Sequence, residues 1–179
     1  MWPILILVAL AVGTLVIYNG LVQLKVRSES AWSDIDVQLK RRYDLIPNLV
    51  ETVKGYASHE KGTLEAVVDA RSRAMSAQGP AQKAEAENVL TGALKSLFAL
   101  AESYPQLRAA ENFGQLQQQL ASIEDAVQNA RRYYNAVVRD LNTKIQQFPS
   151  NVIARAFGFR EREFFEIGEA ERAVPPVSF

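Results

Sequence analysis

The residues best suited to chemistry form a polar stripe in the first third of the sequence. Asp34, Arg41 and Asn48 recur at intervals of seven, which places them on one face of a helix. Neighbouring side chains and two residues of a later helix complete the set: Asp34, Arg41, Arg42, Asp44, Asn48, Glu51, Arg131 and Asn135. This set predicts either a polar network or partner surface that fixes helix register, or a carboxylate-rich pocket for a metal or small ligand.

The residue types needed for most catalytic centres are missing. His59 is the only histidine, and the sequence has no cysteine. A di-iron bundle site requires paired Glu-x-x-His motifs and a zincin site requires His-Glu-x-x-His, so neither can be assembled. We therefore predict no enzyme, with no catalytic, cofactor-binding or metal-binding residues. A carboxylate-based or metal-assisted enzyme built on Asp34, Asp44 and Glu51 stays as the least favoured alternative.

The charge balance argues against nucleic acid as a partner. The chain has 20 basic and 20 acidic residues, and its formal net charge is zero. Nucleic-acid binders concentrate Lys and Arg on one face, whereas here bases and acids alternate along the sequence.

The first 24 residues are predicted to form a transmembrane anchor. No charged side chain occurs between Met1 and Leu24, and the run from Ile4 to Val22 is almost entirely apolar. About 20 apolar residues suffice for a helix that crosses the hydrocarbon core. A cleaved signal peptide competes with this interpretation, but no basic residue precedes the apolar run. Because Lys25 and Arg27 follow the span, we expect a single-pass cell-membrane protein with its N-terminus outside and its bundle in the cytoplasm.

The rest of the chain is predicted to be all-α. Apolar residues recur every three or four positions over 32–56 and over 113–148, and no strand-like alternation occurs. Between these two long helices Gly79-Pro80 divides two shorter ones, and the last helix should begin at Tyr104-Pro105. The anchor is expected to continue into an antiparallel up-and-down bundle over 25–156, with four helices of unequal length or three long rods.

Residues 157–179 differ in composition from the bundle. Aromatic side chains crowd among charged ones here, and Phe159, Phe164 and Phe165 form a candidate contact segment. These rings either pack back onto the end of the bundle or face a partner or the membrane interface. The last residues, 174–179, contain two prolines and are predicted to be an extended tail.

Several ordered segments resemble the LemA family. They include Ala31-Trp32-Ser33-Asp34-Ile35-Asp36, Asp44-Leu45-Ile46-Pro47-Asn48, Ala130-Arg131-Arg132-Tyr133-Tyr134-Asn135 and Phe148-Pro149-Ser150-Asn151. The resemblance implies a membrane-anchored helical bundle of the bacterial cell envelope without an agreed reaction. It also implies an unidentified membrane protein as partner, for which an HtpX-like metalloprotease is one candidate, and one branch of the family is associated with magnetosome membranes.

The leading functional hypothesis is a membrane-anchored scaffold that binds a protein partner. The second is a self-assembling membrane organiser, in which the partner is another copy of the chain. The bilayer is a partner in both, and both require exposed helix surfaces rather than a catalytic pocket.

Overall fold

A single helix of 53 residues, α1, occupies the first third of the protein and covers Trp2–Lys54. The computed structural model describes residues 1–166, and in this range it contains helices and no strand, which confirms the all-α prediction. The other helices are α2 (Lys61–Ser76), α3 (Gly79–Glu102), α4 (Pro105–Arg108), α5 (Glu111–Gln146) and α6 (Ser150–Ala156).

The predicted anchor runs without a break into the first helix of the bundle. Leu5, Leu10 and Leu15 are each at least 60% exposed, so the beginning of α1 buries little of its apolar surface against the protein. Within residues 1–166, α1 alone is long and apolar enough to cross a membrane, by length and composition. Its first half is therefore a candidate membrane span.

Glycine and proline separate α2 from α3, as the sequence predicts. The backbone N–H of Ala77 donates to the Arg73 carbonyl and closes the end of α2, with an oxygen–nitrogen distance of 3.0 Å. Gly79 has a φ of +74°, a left-handed conformation that a residue without a Cβ adopts at little cost. Pro80 then occupies the first turn of α3, where its missing N–H has no intrahelical partner to lose.

The long helix α5 begins later than the start predicted at Tyr104-Pro105. A four-residue helix, α4, intervenes, and α5 begins at Glu111. The turn between them is closed by the Ala110 N–H, which donates to the Leu107 carbonyl over 3.0 Å. Leu107 is fully buried. The chain changes direction between α4 and α5, and the spacing of apolar residues at three and four positions does not predict this turn.

The described chain divides into two compact units. The first comprises residues 1–36 and 129–164, and the second comprises residues 37–128 together with residues 165 and 166. The core of the first unit is built around Leu21, Leu141 and Ala154. Around them pack partly buried apolar residues: Ile17, Leu24, Ile145, Ile153 and Phe159.

Four helices meet in the second unit. Its buried residues follow the predicted stripe of α1 at Leu39, Ile46 and Leu49, and they continue on the other helices at Val67, Leu90, Leu94, Leu97, Phe113 and Leu120. Near the end of α3 and the start of α5, the rings of Phe98 and Phe113 lie 6.2 Å apart. The short connections between the successive helices of this unit favour an antiparallel up-and-down arrangement.

Candidate functional site

A buried cluster of charged and polar side chains lies at the centre of the second unit. We call Arg42, Tyr43, Glu87, Thr91 and Glu124 the Arg42 cluster. Arg42 is 1% exposed and Glu87 is 0% exposed. Arg42 Nη1 donates to Glu87 Oε2 over 2.6 Å, and Arg42 Nη2 donates to Thr91 Oγ1 over 3.0 Å. A second ion pair joins Arg42 Nη2 to Glu124 Oε1 at 2.6 Å.

Tyr43 connects this cluster to α2. Its hydroxyl donates to Glu87 Oε1 and also approaches the Ala74 carbonyl at 3.4 Å. Its backbone carbonyl accepts a 2.7 Å hydrogen bond from Arg71 Nε. Residues of α2, α3 and α5 thus all contact two adjacent residues of α1, Arg42 and Tyr43. We expect the cluster to fix the register of α1 against α3, because a slip of either helix would leave Arg42 or Glu87 buried and unpaired.

The sequence contains a signal for Glu87 that the analysis of motifs missed. Arg42 lies within the apolar stripe of α1, between the buried Leu39 and Ile46. Glu87 interrupts the equivalent stripe of α3 in the same way, since it lies between the buried Ala84 and Leu90. Two opposite charges, each at a core position of its own helix, predict a buried ion pair. Arg42 Nε is also buried and has no hydrogen-bond partner in residues 1–166.

The other predicted polar residues of α1 lie outside this cluster. Arg41, Asp44, Asn48 and Glu51 are all exposed and follow one another at spacings of three and four. We call these four residues the outer stripe. Their hydrogen bonds are local: Arg41 donates to Gln38 over 3.4 Å, and Lys54 donates to Glu51 over 3.3 Å.

The remaining predicted residues belong to the first unit. Asp34 is exposed, whereas Arg131 and Asn135 are partly buried and engaged in interactions. Across residues 1–166, no group of three histidine or acidic side chains is arranged to hold a metal ion.

The segment after α6 is held against the helices of the first unit. We call residues 159–164 the strap. Asn142 pairs with Arg162 through two 2.9 Å hydrogen bonds: its amide donates to the Arg162 carbonyl, and its carbonyl accepts from the Arg162 backbone N–H. Arg162 Nη2 lies 2.6 Å from Glu29 Oε1 on α1. These contacts explain why a segment without regular structure keeps one path along α5.

Tyr134 provides a further attachment for the strap. Its hydroxyl donates to the Glu163 carbonyl over 2.9 Å, and its ring lies 5.3 Å from that of Trp32. Burial raises the pKa of the Tyr134 hydroxyl above its ordinary value of 10.0, and the Glu163 carboxylate adds to the rise while Arg162 opposes it. The hydroxyl is therefore a neutral donor at physiological pH.

The aromatic residues of the predicted contact segment have three different environments. Phe159 is partly buried against the Leu21 core, and its ring lies 5.8 Å from that of Tyr18. Phe165 is fully buried, whereas Phe164 is 37% exposed. The predicted extended tail at 174–179 lies outside the described residues.

Comparison with known proteins places these features in a family. The sequence model of the LemA family matches residues 31–179, which is most of the chain. Magnetosome protein MamQ 2 of Paramagnetospirillum magneticum is 25% identical over 189 residues, which cover 91% of this chain and 70% of that protein. Magnetosome protein MamQ of Magnetospirillum gryphiswaldense is 26% identical, with coverages of 90% and 69%.

A third relative carries the family name. Protein LemA of Metamycoplasma hominis is 26% identical over 148 residues, covering 80% of this chain and 66% of that protein. The family match includes α2 to α6 and the part of α1 that carries the Arg42 cluster and the outer stripe. The chain therefore belongs to the LemA family.

Proposed function

We propose that this protein is a membrane-anchored helical scaffold that binds a membrane-protein partner and has no catalytic activity of its own. The observation that carries the proposal is the continuity of α1, which is one helix from the exposed apolar segment to the Arg42 cluster. Its first half supplies membrane attachment and its second half supplies one of the four packed helices. An unbroken helix transmits position more rigidly than a flexible linker does.

The outer stripe is the surface that we assign to the partner. Its four residues are one cation, one amide and two carboxylates, and all are exposed although the opposite face of the helix is buried. The buried Arg42 cluster holds that helix in one register, so the outer stripe presents a fixed pattern of charges. A fixed charge pattern favours specific recognition and contributes to selectivity more than to affinity.

The partner is expected to be an integral membrane protein. A scaffold tethered to the bilayer meets other membrane proteins at a high effective concentration, so individually weak contacts suffice. An HtpX-like membrane metalloprotease, suggested by the family resemblance, is the first candidate to examine.

Site-specific photocrosslinking in native membranes tests this assignment. A photoreactive amino acid replaces Asn48 in the outer stripe, and a matched variant carries it at the exposed Asp69 of α2. We expect position 48 to crosslink reproducibly to one membrane protein and position 69 not to do so. Equal labelling of many proteins from both positions would contradict the proposal.

The proposed orientation has the bundle in the cytoplasm and the N-terminus outside. It rests on the basic residues that follow the apolar segment, such as Lys25 and Arg27. Reporters that are active on only one side of the membrane, fused after Phe179, test this point. A cytoplasmic reporter should be active and a periplasmic one inactive, and the reverse result would overturn the orientation while leaving the scaffold proposal intact.

Self-assembly into a membrane organiser is the second candidate. Similarity to two proteins named magnetosome proteins favours it. Crosslinks from position 48 that join copies of the chain would support this candidate over a different partner. The absence of intrinsic catalysis is tested with the purified full chain, because metal content above background together with turnover of a substrate would refute it.

A further inference from the structure

The short helix α6 is fixed at the level where the apolar segment of α1 ends. Ala154 of α6 shares a core cluster with Leu21 of α1, and Ile153 packs against the same cluster. The ring of Phe157 lies 4.9 Å from the ring of Tyr18. All these residues belong to the first unit, so the height of α6 along α1 follows from direct contacts within that unit.

Helix geometry relates this height to the membrane. At about 1.5 Å per residue, Tyr18 lies about 21 Å beyond Ile4 and Leu21 about 26 Å beyond it, whereas the hydrocarbon core is about 30 Å thick. If the apolar run from Ile4 spans the bilayer, Tyr18 lies about 9 Å and Leu21 about 4 Å inside the far boundary of the hydrocarbon. The side chains that pack on them therefore lie at or just inside this boundary.

The outward surface at this level is apolar and basic. We call residues 148–157 the foot. Phe148 is 78% exposed, Val152 is 57% exposed and Phe157 is 58% exposed, although the opposite side of α6 is buried at Ser150 and Ala154. Val152 is the exposed large apolar residue of α6 itself, and the exposed rings of Phe148 and Phe157 lie just before and just after the helix. The foot therefore keeps three apolar side chains outside the core, where polar residues would be expected in water.

The chain around the foot is predominantly basic, although the Glu161 carboxylate accepts a 3.0 Å hydrogen bond from Gln146 nearby. Between Leu141 and Arg160 the sequence contains three basic residues, Lys144, Arg155 and Arg160, and no acidic one. Lys144 also lies at the same level, because a Cβ added to Gly20 of α1 would lie only 2.9 Å from Lys144 Nζ. Exposed apolar groups flanked by basic side chains are the composition of helices that lie in the plane of a bilayer surface.

We propose that the foot inserts into the headgroup region of the membrane that α1 spans, with Phe148, Val152 and Phe157 at the acyl boundary and the basic side chains on anionic phospholipid headgroups. This inference rests on the proposed membrane anchorage and gives the bundle a second attachment. Two attachments on one rigid unit fix its orientation relative to the bilayer, which a single helix free to tilt would not do.

Lipid fits this surface better than a protein partner does, for two reasons. The foot is continuous with the segment already assigned to the bilayer, since the ring of Phe157 contacts that of Tyr18 on α1. The three basic side chains, Lys144, Arg155 and Arg160, also outnumber the neighbouring Glu161, so the net positive charge complements an anionic leaflet.

The absence of cysteine from the sequence allows a direct test. Single-cysteine variants of the full chain, Val152→Cys and Phe157→Cys, receive a nitroxide label and are reconstituted into vesicles of phosphatidylcholine with phosphatidylglycerol. Electron paramagnetic resonance then compares collisions with oxygen, which concentrates in lipid, and with a water-soluble nickel chelate. Val89→Cys is the matched control, since Val89 is a 50% exposed valine of α3 in the second unit.

We expect the oxygen-to-nickel collision ratio at positions 152 and 157 to exceed that at position 89 several-fold, and to fall when phosphatidylglycerol is omitted. Ratios equal to the control would contradict insertion of the foot, and so would spin–spin broadening at position 152 that reports a second copy.

A label at Leu10→Cys tests the membrane anchor separately from the foot. If position 10 reports lipid while 152 and 157 report water, the anchor stands and the foot fails. If position 10 also reports water, the anchorage itself is wrong and the foot falls with it.

Discussion

Arg42 is the side chain whose surroundings differ most from what its type prefers. It is 1% exposed and balanced by Glu87 at 0% exposure and by Glu124 at 35% exposure. Replacement by methionine, Arg42→Met, keeps much of the volume but leaves the Glu87 carboxylate buried without its guanidinium partner. We expect a loss of about 3–5 kcal/mol in the free energy of unfolding. Urea titration of the full chain in detergent micelles, followed by circular dichroism, measures this loss.

Two further variants serve as controls for the stability loss expected in Arg42→Met. Arg41→Met changes the exposed neighbour on the same helix and should alter stability by no more than about 0.5 kcal/mol. The double variant Arg42→Met with Glu87→Met removes both buried charges and should recover most of the loss, because apolar pairs often replace buried ion pairs without penalty. If Arg42→Met were as mild as Arg41→Met, the cluster would not control the packing of these helices.

Tyr134 makes the free energy of unfolding depend on pH in the alkaline range. Burial raises its pKa in the folded state above the value of 10.0 expected in the unfolded chain. Between those two pKa values the folded state holds a proton that the unfolded state has released, so stability decreases as pH rises through this window. Below pH 10 the contribution is fully present. Tyr134→Phe should therefore weaken the decline of unfolding free energy above about pH 10, as measured by urea titrations at a series of alkaline pH values.

The neighbouring tyrosine serves as the control. Tyr133 is 52% exposed, so Tyr133→Phe should change the unfolding free energy at neutral pH by no more than about 0.5 kcal/mol. At neutral pH, Tyr134→Phe should also cost about 0.5–1.5 kcal/mol, because the Glu163 carbonyl loses its donor. An unchanged pH profile in Tyr134→Phe would show that another group controls the alkaline transition.

The residue-level features were only partly predictable. Arg42 was recognised as a polar residue of interest because of its neighbours, but its partner Glu87 was not. Spacing identifies which residues share a face of one helix, whereas a buried ion pair depends on how two helices are placed against each other. The Asn142–Arg162 pair is harder still, since the strap has no periodicity that could reveal it.

At the scale of elements, the connection between α2 and α3 depends on one left-handed residue. Gly79 has a φ of +74°, and a Cβ added there would meet no atom within 4 Å. Gly79→Ala should therefore lose about 1–2 kcal/mol through backbone conformation alone. Gly92 lies inside α3 with equally open space around it, so Gly92→Ala should instead gain about 0.5–1 kcal/mol. Thermal unfolding of both variants checks the difference in sign, and destabilisation by both would show that steric contacts dominate.

Helix positions were more predictable than helix boundaries. The three-and-four spacing and the Gly79-Pro80 break correctly indicated α1, α2, α3 and α5, because those signals are local. The predicted start of α5 is too early, because the separate short helix α4, on which Leu107 is fully buried, precedes it. The packing of Leu107 involves other helices, and the apolar spacing of one helix contains no information on it.

At the scale of the whole molecule, α1 combines two functions that many proteins assign to separate segments. Its exposed apolar beginning is the candidate membrane span, and Leu21, Ile35 and Leu39 further along the same helix are fully buried in cores. The transition between these functions lies near Tyr18, where the first contacts with the rest of the first unit occur. The position of this transition predicts how truncation should separate attachment from stability.

Deletion of residues 2–12 removes only exposed positions and leaves an apolar stretch too short to cross a bilayer. We expect the product to be extracted from membranes by alkaline carbonate, with its unfolding free energy within about 0.5 kcal/mol of the full chain. Deletion of residues 2–24 also removes Leu21, whose burial alone contributes about 1.5–3 kcal/mol, so this variant should be clearly less stable. Fractionation and urea titration of both variants in the same detergent measure the two properties independently. Equal destabilisation by the two deletions would mean that the exposed beginning of α1 supports the fold, and the separation of attachment from packing near Tyr18 would then be wrong.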